Sequence, residues 1–197
     1  STLTNIAIGD ITGDGIDEVI TGVVSAQTGT PRVYSVINGF LTLTSILLSP
    51  VLPPNEFGYS VAFISDVNGN NINDFMVADR IGNLVYIYDG SVTPIIGTIG
   101  TPTPIGTINI PAFPSYTIES LDNINDVDFD GVDDILIGGQ GSLITNNPGV
   151  VFVYSGANLN LLYSILGSSV SSTSPITFGF KLGSSSNFDF NADGSSD

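Results

Sequence analysis

Apolar residues in this chain come in short runs, and the runs recur in a fixed order. A short apolar strand opens each round: Val19-Ile20, Phe75-Met76-Val77 and Ile135-Leu136-Ile137. A β-branched and aromatic run ending in glycine follows: RVYSVING to Gly39, NLVYIYDG to Gly90 and VVFVYSG to Gly156. A further apolar stretch closes the round: FLTLTSILL, TPIIGTI and LNLLYSIL. Phe57-Gly58 and Phe178-Gly179 open another strand ahead of the next round. Runs of this length, rich in Val, Ile, Phe and Tyr and bounded by turn formers, read as β-strands. No window sustains a helical period. The pattern predicts an all-β repeat protein with four short strands per repeat.

The polar positions sharpen the repeat. Four nine-residue windows share one pattern: DITGDGIDE from Asp10, DVNGNNIND from Asp66, DVDFDGVDD from Asp126 and DFNADGSSD from Asp189. The spacings of 56, 60 and 63 residues give a period near 60, which marks a repeat architecture. Oxygen-bearing side chains at positions 1, 3, 5 and 9, with Gly near position 6, suit a hard cation that takes six to eight oxygens. Gly15, Gly131 and Gly194 occupy position 6, where a sharp turn favours positive φ, and Asn71 takes that place in the second window. The expected ligands of loop one are Asp10, Thr12, Asp14, the Ile16 carbonyl and Glu18. Those of loop two are Asp66, Asn68, Asn70, the Ile72 carbonyl and Asp74. Loop three offers Asp126, Asp128, Asp130, the Val132 carbonyl and Asp134, and loop four offers Asp189, Asn191, Asp193, the Ser195 carbonyl and Asp197. Clustered carboxylates repel one another unless a cation neutralises them, so solvated acidic turns are the weaker explanation of four such windows. EF-hands do not fit. Position 12 holds Thr21, Val77 and Ile137 where a bidentate Glu is needed, and the following segments are β-rich.

Four antiparallel strands in a unit of this length is the build of a β-propeller blade. The Phe-Gly pairs, the D-x-[DN]-x-[DN]-G-x-x-D loops and the apolar strands ending in TGV, ADR and GGQ resemble the FG-GAP repeat. The resemblance covers nearly the whole chain, although the third repeat reads SYTIESLDNI where Phe-Gly is expected. It implies blades like those of the integrin α-subunit propeller and of bacterial extracellular proteins. It also implies calcium as the ion, bound between the first and second strands of a blade. The expected organisation is one FG-GAP segment over 1–197. Blade one covers about 1–50, blade two about 55–110, blade three about 114–168, and a fourth begins at about 176–197. Three blades leave open sheet faces. An incomplete or intermolecularly completed propeller is therefore expected, as is a processed or excised piece, since the chain does not begin with Met.

Composition narrows the function. The 197 residues carry 19 acids against 3 bases, a formal charge of -16, yet only 11% are charged. Fourteen of the acids lie in the four windows, and none of the residues from Ile135 to Phe180 is charged. Four bound Ca²⁺ would bring the formal charge to -8. Arg32, Arg80 and Lys181 cannot build a phosphate-neutralising surface, which argues against nucleic acid and anionic membranes. Cys, His and Trp are absent, which excludes disulfides, thiolate or imidazole chemistry and Cys- or His-ligated metals. The uncharged stretch from Ser91 to Ile118 is broken by five prolines and reads as strand and loop rather than a membrane span.

The acids outside the windows are Glu56, Asp79, Asp89, Glu119 and Asp122, and none sits in a recognisable catalytic setting. Glu119 and Asp122 are expected in a solvated loop. A non-enzymatic, calcium-binding segment of an extracellular or cell-surface protein, acting in assembly or adhesion, is the expected function. Its partners would be other subunits or further blades of the same chain. The alternatives are a glycan-binding, lectin-like propeller, with Tyr replacing the missing Trp, or an accessory propeller of a larger secreted enzyme. GSSVSSTSP from Gly167 offers sites for O-linked sugar, and no N-x-[ST] sequon occurs. Millimolar extracellular calcium matches the weak affinity of such modules. Loop three, with four ligand carboxylates, should bind most tightly, and loop two, with two, most weakly.

Overall fold

The computed structural model describes residues 2–92, 98–110, 116–141, 147–170 and 178–183. Loop four therefore lies outside the described residues. The first sheet is built from β1 (Thr2–Gly9), β2 (Glu18–Ser25), the two-residue β3 (Thr28–Gly29), β4 (Arg32–Ile37) and β5 (Phe40–Leu47). The second uses β6 (Phe57–Ile64), β7 (Asp74–Asp79), β8 (Leu84–Tyr88) and β10 (Gly106–Asn109), with β9 (Thr98–Gly100) intervening in the chain. The third consists of β11 (Thr117–Ile124), β12 (Asp134–Gln140), β13 (Val150–Tyr154) and β14 (Leu161–Leu166). Helix among the described residues is confined to a 3-10 turn at Gly90–Val92 and one α-turn at Gly167–Val170.

The strands of each sheet follow chain order outward, antiparallel: β1-β2-β4-β5, β6-β7-β8-β10 and β11-β12-β13-β14. Register repeats with them. Val19 pairs with Tyr34, Phe75 with Tyr88 and Ile135 with Tyr154. The first strands pack side by side, β1 on β6 and β6 on β11. They line a cavity of about 930 Å³. Two core layers lie between the sheets. Ile11 of loop one, with Ile20, Val33 and Leu47 of the first sheet, meets Phe57, Phe75, Tyr86 and Tyr88 of the second. Met76, Val85 and Ile87 on the other face of the second sheet meet Ile135, Phe152 and Tyr154 of the third. Each layer sets a mainly aliphatic face against an aromatic-rich one, which fills the gap between twisted sheets.

One expected strand falls elsewhere. The sequence pattern places the closing strand of the second repeat at TPIIGTI, residues 93–99. That place is taken by β10, Gly106–Asn109. Residues 93–97 lie outside the described residues, and Thr98–Gly100 instead pairs in parallel with β5 of the first sheet. Residues 101–105, with Pro102 and Pro104, then lead from β9 to β10.

The Phe-Gly pairs have a physical role that also explains their absence from the third repeat. Gly58 and Gly179 sit at φ +86° and +78°, a left-handed conformation that glycine adopts freely. Each turns its carbonyl onto the preceding sheet, where Gly58 accepts from Thr4 Oγ1 and Gly179 from Ser120 Oγ, both at 3.0 Å. The second strand must be bare there: a Cβ at Gly22 would lie 2.5 Å from the Gly58 oxygen, and one at Gly138 2.0 Å from the Gly179 oxygen. Register places Ala78 at the equivalent point of the second sheet. Ala78 carries a methyl where the other two sheets have glycine, and the sheet that follows has Thr117-Ile118 nine and eight residues ahead of Asp126, where Phe57-Gly58 stand ahead of Asp66. The missing Phe-Gly and the missing glycine are two sides of one contact.

Candidate cation-binding loops

The three described acidic windows each join the first strand of a sheet to its second. They share one hydrogen-bond frame. The position-1 carboxylate gathers backbone N–H groups of the loop it opens: Asp10 accepts from Gly13 at 2.7 Å and Gly15 at 2.8 Å, Asp66 from Gly69 at 2.7 Å, and Asp126 from Gly131 at 2.7 Å. The position-5 side chain accepts the N–H of position 7: Ile16 to Asp14 at 2.8 Å, Ile72 to Asn70 at 2.9 Å and Val132 to Asp130 at 3.0 Å. Position 6 is left-handed, with φ +83° at Gly15, +66° at Asn71 and +96° at Gly131. Position 4 is left-handed too, at Gly13, Gly69 and, with a bulky side chain, Phe129.

The position-9 acid is the buried anchor. Glu18 accepts from Ile11 N at 3.2 Å, Asp74 from Val67 N at 3.0 Å and Asp134 from Val127 N at 2.9 Å. Asp74 and Asp134 also accept the N–H of Gly90 and Gly156, both at 3.1 Å. Those glycines end the β-branched runs of the sequence pattern, and a Cβ on either would strike the backbone of Asn73 or Asp133. In loops two and three position 9 thus ties the loop, the second strand and a residue just after the third strand together.

The electrostatics divide along the same lines. Desolvation pushes the Asp74 carboxyl up to about 6, against the bonds from Val67 and Gly90. Burial also raises Glu18 and Asp134. At Asp10 and Asp126 lost hydration pushes upward, but several backbone donors outweigh it and hold both below the usual carboxylate range. Asp128 is raised, by lost hydration first and by its neighbours Asp130 and Asp134 next. Among the described residues, Asp126, Asp128 and Asp130 alone form a cluster of three acids whose oxygens lie within 4.8 Å of one another. Asp134, the fourth carboxylate expected there, is outside that cluster and bonds to the backbone. Arg80 is committed elsewhere, to Glu56 and Glu119, and does not offset these carboxylates. A carboxylate has about four acceptor sites, more than these hydrogen bonds fill, so the cluster fits a hard oxygen-seeking cation such as Ca²⁺.

Several acids left outside the loops by the sequence reading have definite places. Asp89 belongs to loop two, where its Oδ1 accepts Asn70 Nδ2 at 3.0 Å and its ionised form is favoured by bonds from Ser91 and Asn70 that outweigh desolvation. Asp79 is fully buried and takes the N–H of Glu56 and of Gly82, both at 3.0 Å. Glu119 and Asp122 do not lie in a solvated loop. Both are in β11, and Glu119 is 8% exposed. Arg80 contacts Glu119 at 2.9 Å and Glu56 at 3.2 Å. Tyr59 OH donates to Glu119 at 2.8 Å, and the guanidinium lies 4.4 Å from the Tyr59 ring centre. No motif signals this network, because its members come from separate strands of two sheets.

Fold and loops together define an all-β protein of antiparallel, propeller-like sheets with acidic first-to-second-strand loops. No known family profile matches the chain. It is similar to integrin alpha-V of Gallus gallus, an FG-GAP β-propeller protein, with 27% identity over 202 residues and 95% of this chain covered. The chain spans 19% of that relative's length. Among solved structures it is similar to BBS1N in a crystal structure with ARL6DN, soaked with lead. There the TM-score is 0.53 at 15% identity, over 84% of this chain and 45% of that one, a likeness of fold alone. Among the described residues no helix is long and apolar enough to cross a membrane.

Proposed function

We propose that the chain is a non-enzymatic, calcium-binding propeller segment of an extracellular or cell-surface protein, acting in assembly or adhesion. Each sheet serves as one blade, and the residues from Phe178 begin another. Its partners are other protein subunits or further blades of the same chain. The observation that carries the reading is the convergence of Asp126, Asp128 and Asp130, whose carboxylate oxygens lie within 4.8 Å of one another. In loop three these residues, with Asp134 and the Val132 carbonyl, would hold the ion. In loops one and two Asp10, Thr12, Asp14 and Glu18, and Asp66, Asn68, Asn70 and Asp74, would do so. The ion would offset carboxylate repulsion and fasten the first two strands of each blade. The likeness to integrin alpha-V supports an adhesion-type setting. Calorimetric titration of chelator-stripped protein with Ca²⁺ tests this. Uptake is expected, with the tightest site lost on combining Asp126→Asn, Asp128→Asn and Asp130→Asn. Absence of calcium uptake by the unmodified chain would overturn it.

A further inference from the structure

An asparagine side-chain amide can be attacked by the next backbone nitrogen, most easily when the next residue is glycine and has no Cβ to obstruct the approach. The chain holds two such pairs, Asn38-Gly39 and Asn68-Gly69, each preceded by a β-branched residue, Ile37 and Val67. Their local sequences are nearly alike, so a difference in reactivity comes from the fold. Asn38-Gly39 is the two-residue turn between β4 and β5, closed by the Ile37–Phe40 pair, with φ fixed at +53° and +79°. Loop two holds its pair in another way. Asn68 Oδ1 accepts the N–H of Asn70 at 3.1 Å, and the N–H of Gly69 donates to Asp66 Oδ1 at 2.7 Å. Asn68, Gly69 and Asn70 are exposed, and a Cβ at Gly69 would meet nothing within 4 Å.

We propose that Asn68-Gly69 is a self-modification site, at which loop two promotes loss of the Asn68 side-chain amide as ammonia. Gly69 N attacks Asn68 Cγ, the new N–Cγ bond closes a five-membered imide, and the Cγ–Nδ2 bond breaks. The Asn70 N–H sits where negative charge develops on Oδ1, the arrangement that stabilises such an oxyanion. Asp66 accepts the N–H of the attacking nitrogen and takes up its proton, which departs with the ammonia. Water then opens the imide. Opening at Cγ leaves an aspartate at position 68, and opening at the backbone carbonyl leaves an isoaspartyl link. The net change is one water in and one ammonia out. An aspartate there adds a third carboxylate to Asp66 and Asp74, so loop two gains the position-3 acid that loop three has in Asp128. That consequence rests on the calcium reading above, while the modification itself does not.

Mass spectrometry of the full chain, held in chelator in mildly alkaline buffer, follows the amide-to-acid change at Asn38 and Asn68 after digestion. Each site's rate in the folded chain is divided by its rate in urea, which removes the contribution of local sequence. The quotient is expected to exceed one at Asn68 and to be several-fold higher there than at Asn38. Asp66→Asn is expected to lower it at Asn68 and leave it unchanged at Asn38. A quotient at Asn68 below one or no higher than at Asn38, or one that Asp66→Asn does not lower, would overturn the site. The readout needs no calcium. A stable Asn68 in a chain that takes up calcium refutes this inference alone, and a converting Asn68 in a chain that takes up none refutes the cation reading alone.

Discussion

Burial of a carboxylate is the plainest local tension in the molecule, and Asp74 carries it. Its folded-state value near 6 stands above the ordinary 3.8. A raised carboxyl favours the protonated form in the folded state, so its penalty is absent below the ordinary value and complete above the raised one. In chelator, the stability of the wild type relative to Asp74→Asn should therefore fall as pH rises from about 4 to 6. Urea unfolding of both proteins across that range checks it, and a difference that does not change with pH contradicts it. The glycine contacts are sharper still. Gly138→Ala puts a methyl group against the Gly179 carbonyl. The expected cost is about 2–3 kcal/mol, as for overpacking of a tight core. Ala78→Gly, where no carbonyl approaches, should cost only about 1 kcal/mol through backbone entropy and lost packing.

Between elements, Arg80 is the main electrostatic tie, joining Glu119 on β11 to Glu56 ahead of β6. Arg80→Leu strands a buried Glu119 with only hydroxyl partners and should cost about 3 kcal/mol, read by chemical denaturation. A loss below about 0.5 kcal/mol, typical of a surface pair, would contradict that placement. The strand order within sheets and the loop positions were legible in the sequence because both rest on local signals: alternating β-branched runs, turn residues and a fixed oxygen spacing. Three features were not. The parallel strand at Thr98–Gly100 has no local periodicity of its own and is defined by an edge in another sheet. Asp89 and Glu119 find partners 19 or more positions away in the chain. The Phe-Gly departure at the third repeat becomes intelligible only when Ala78 is seen across the sheet interface.

At the scale of the whole molecule, low charge and concentrated acidity have separate consequences. The body solvates itself with Ser, Thr, Asn and Gly, while the acids gather where the first and second strands turn. Sheets stacked face to face gain stability chiefly from apolar layers, yet each hinges on a loop whose carboxylates repel one another. A cation that binds only the folded form stabilises it by mass action, by about 2.7 kcal/mol at a hundredfold excess over its dissociation constant. The most direct test is the melting temperature of the full chain in chelator and in millimolar Ca²⁺. A rise of several degrees with calcium, reduced when Asp126, Asp128 and Asp130 are all changed to Asn, is the predicted result. A melting temperature that is the same in chelator and in calcium would contradict the account.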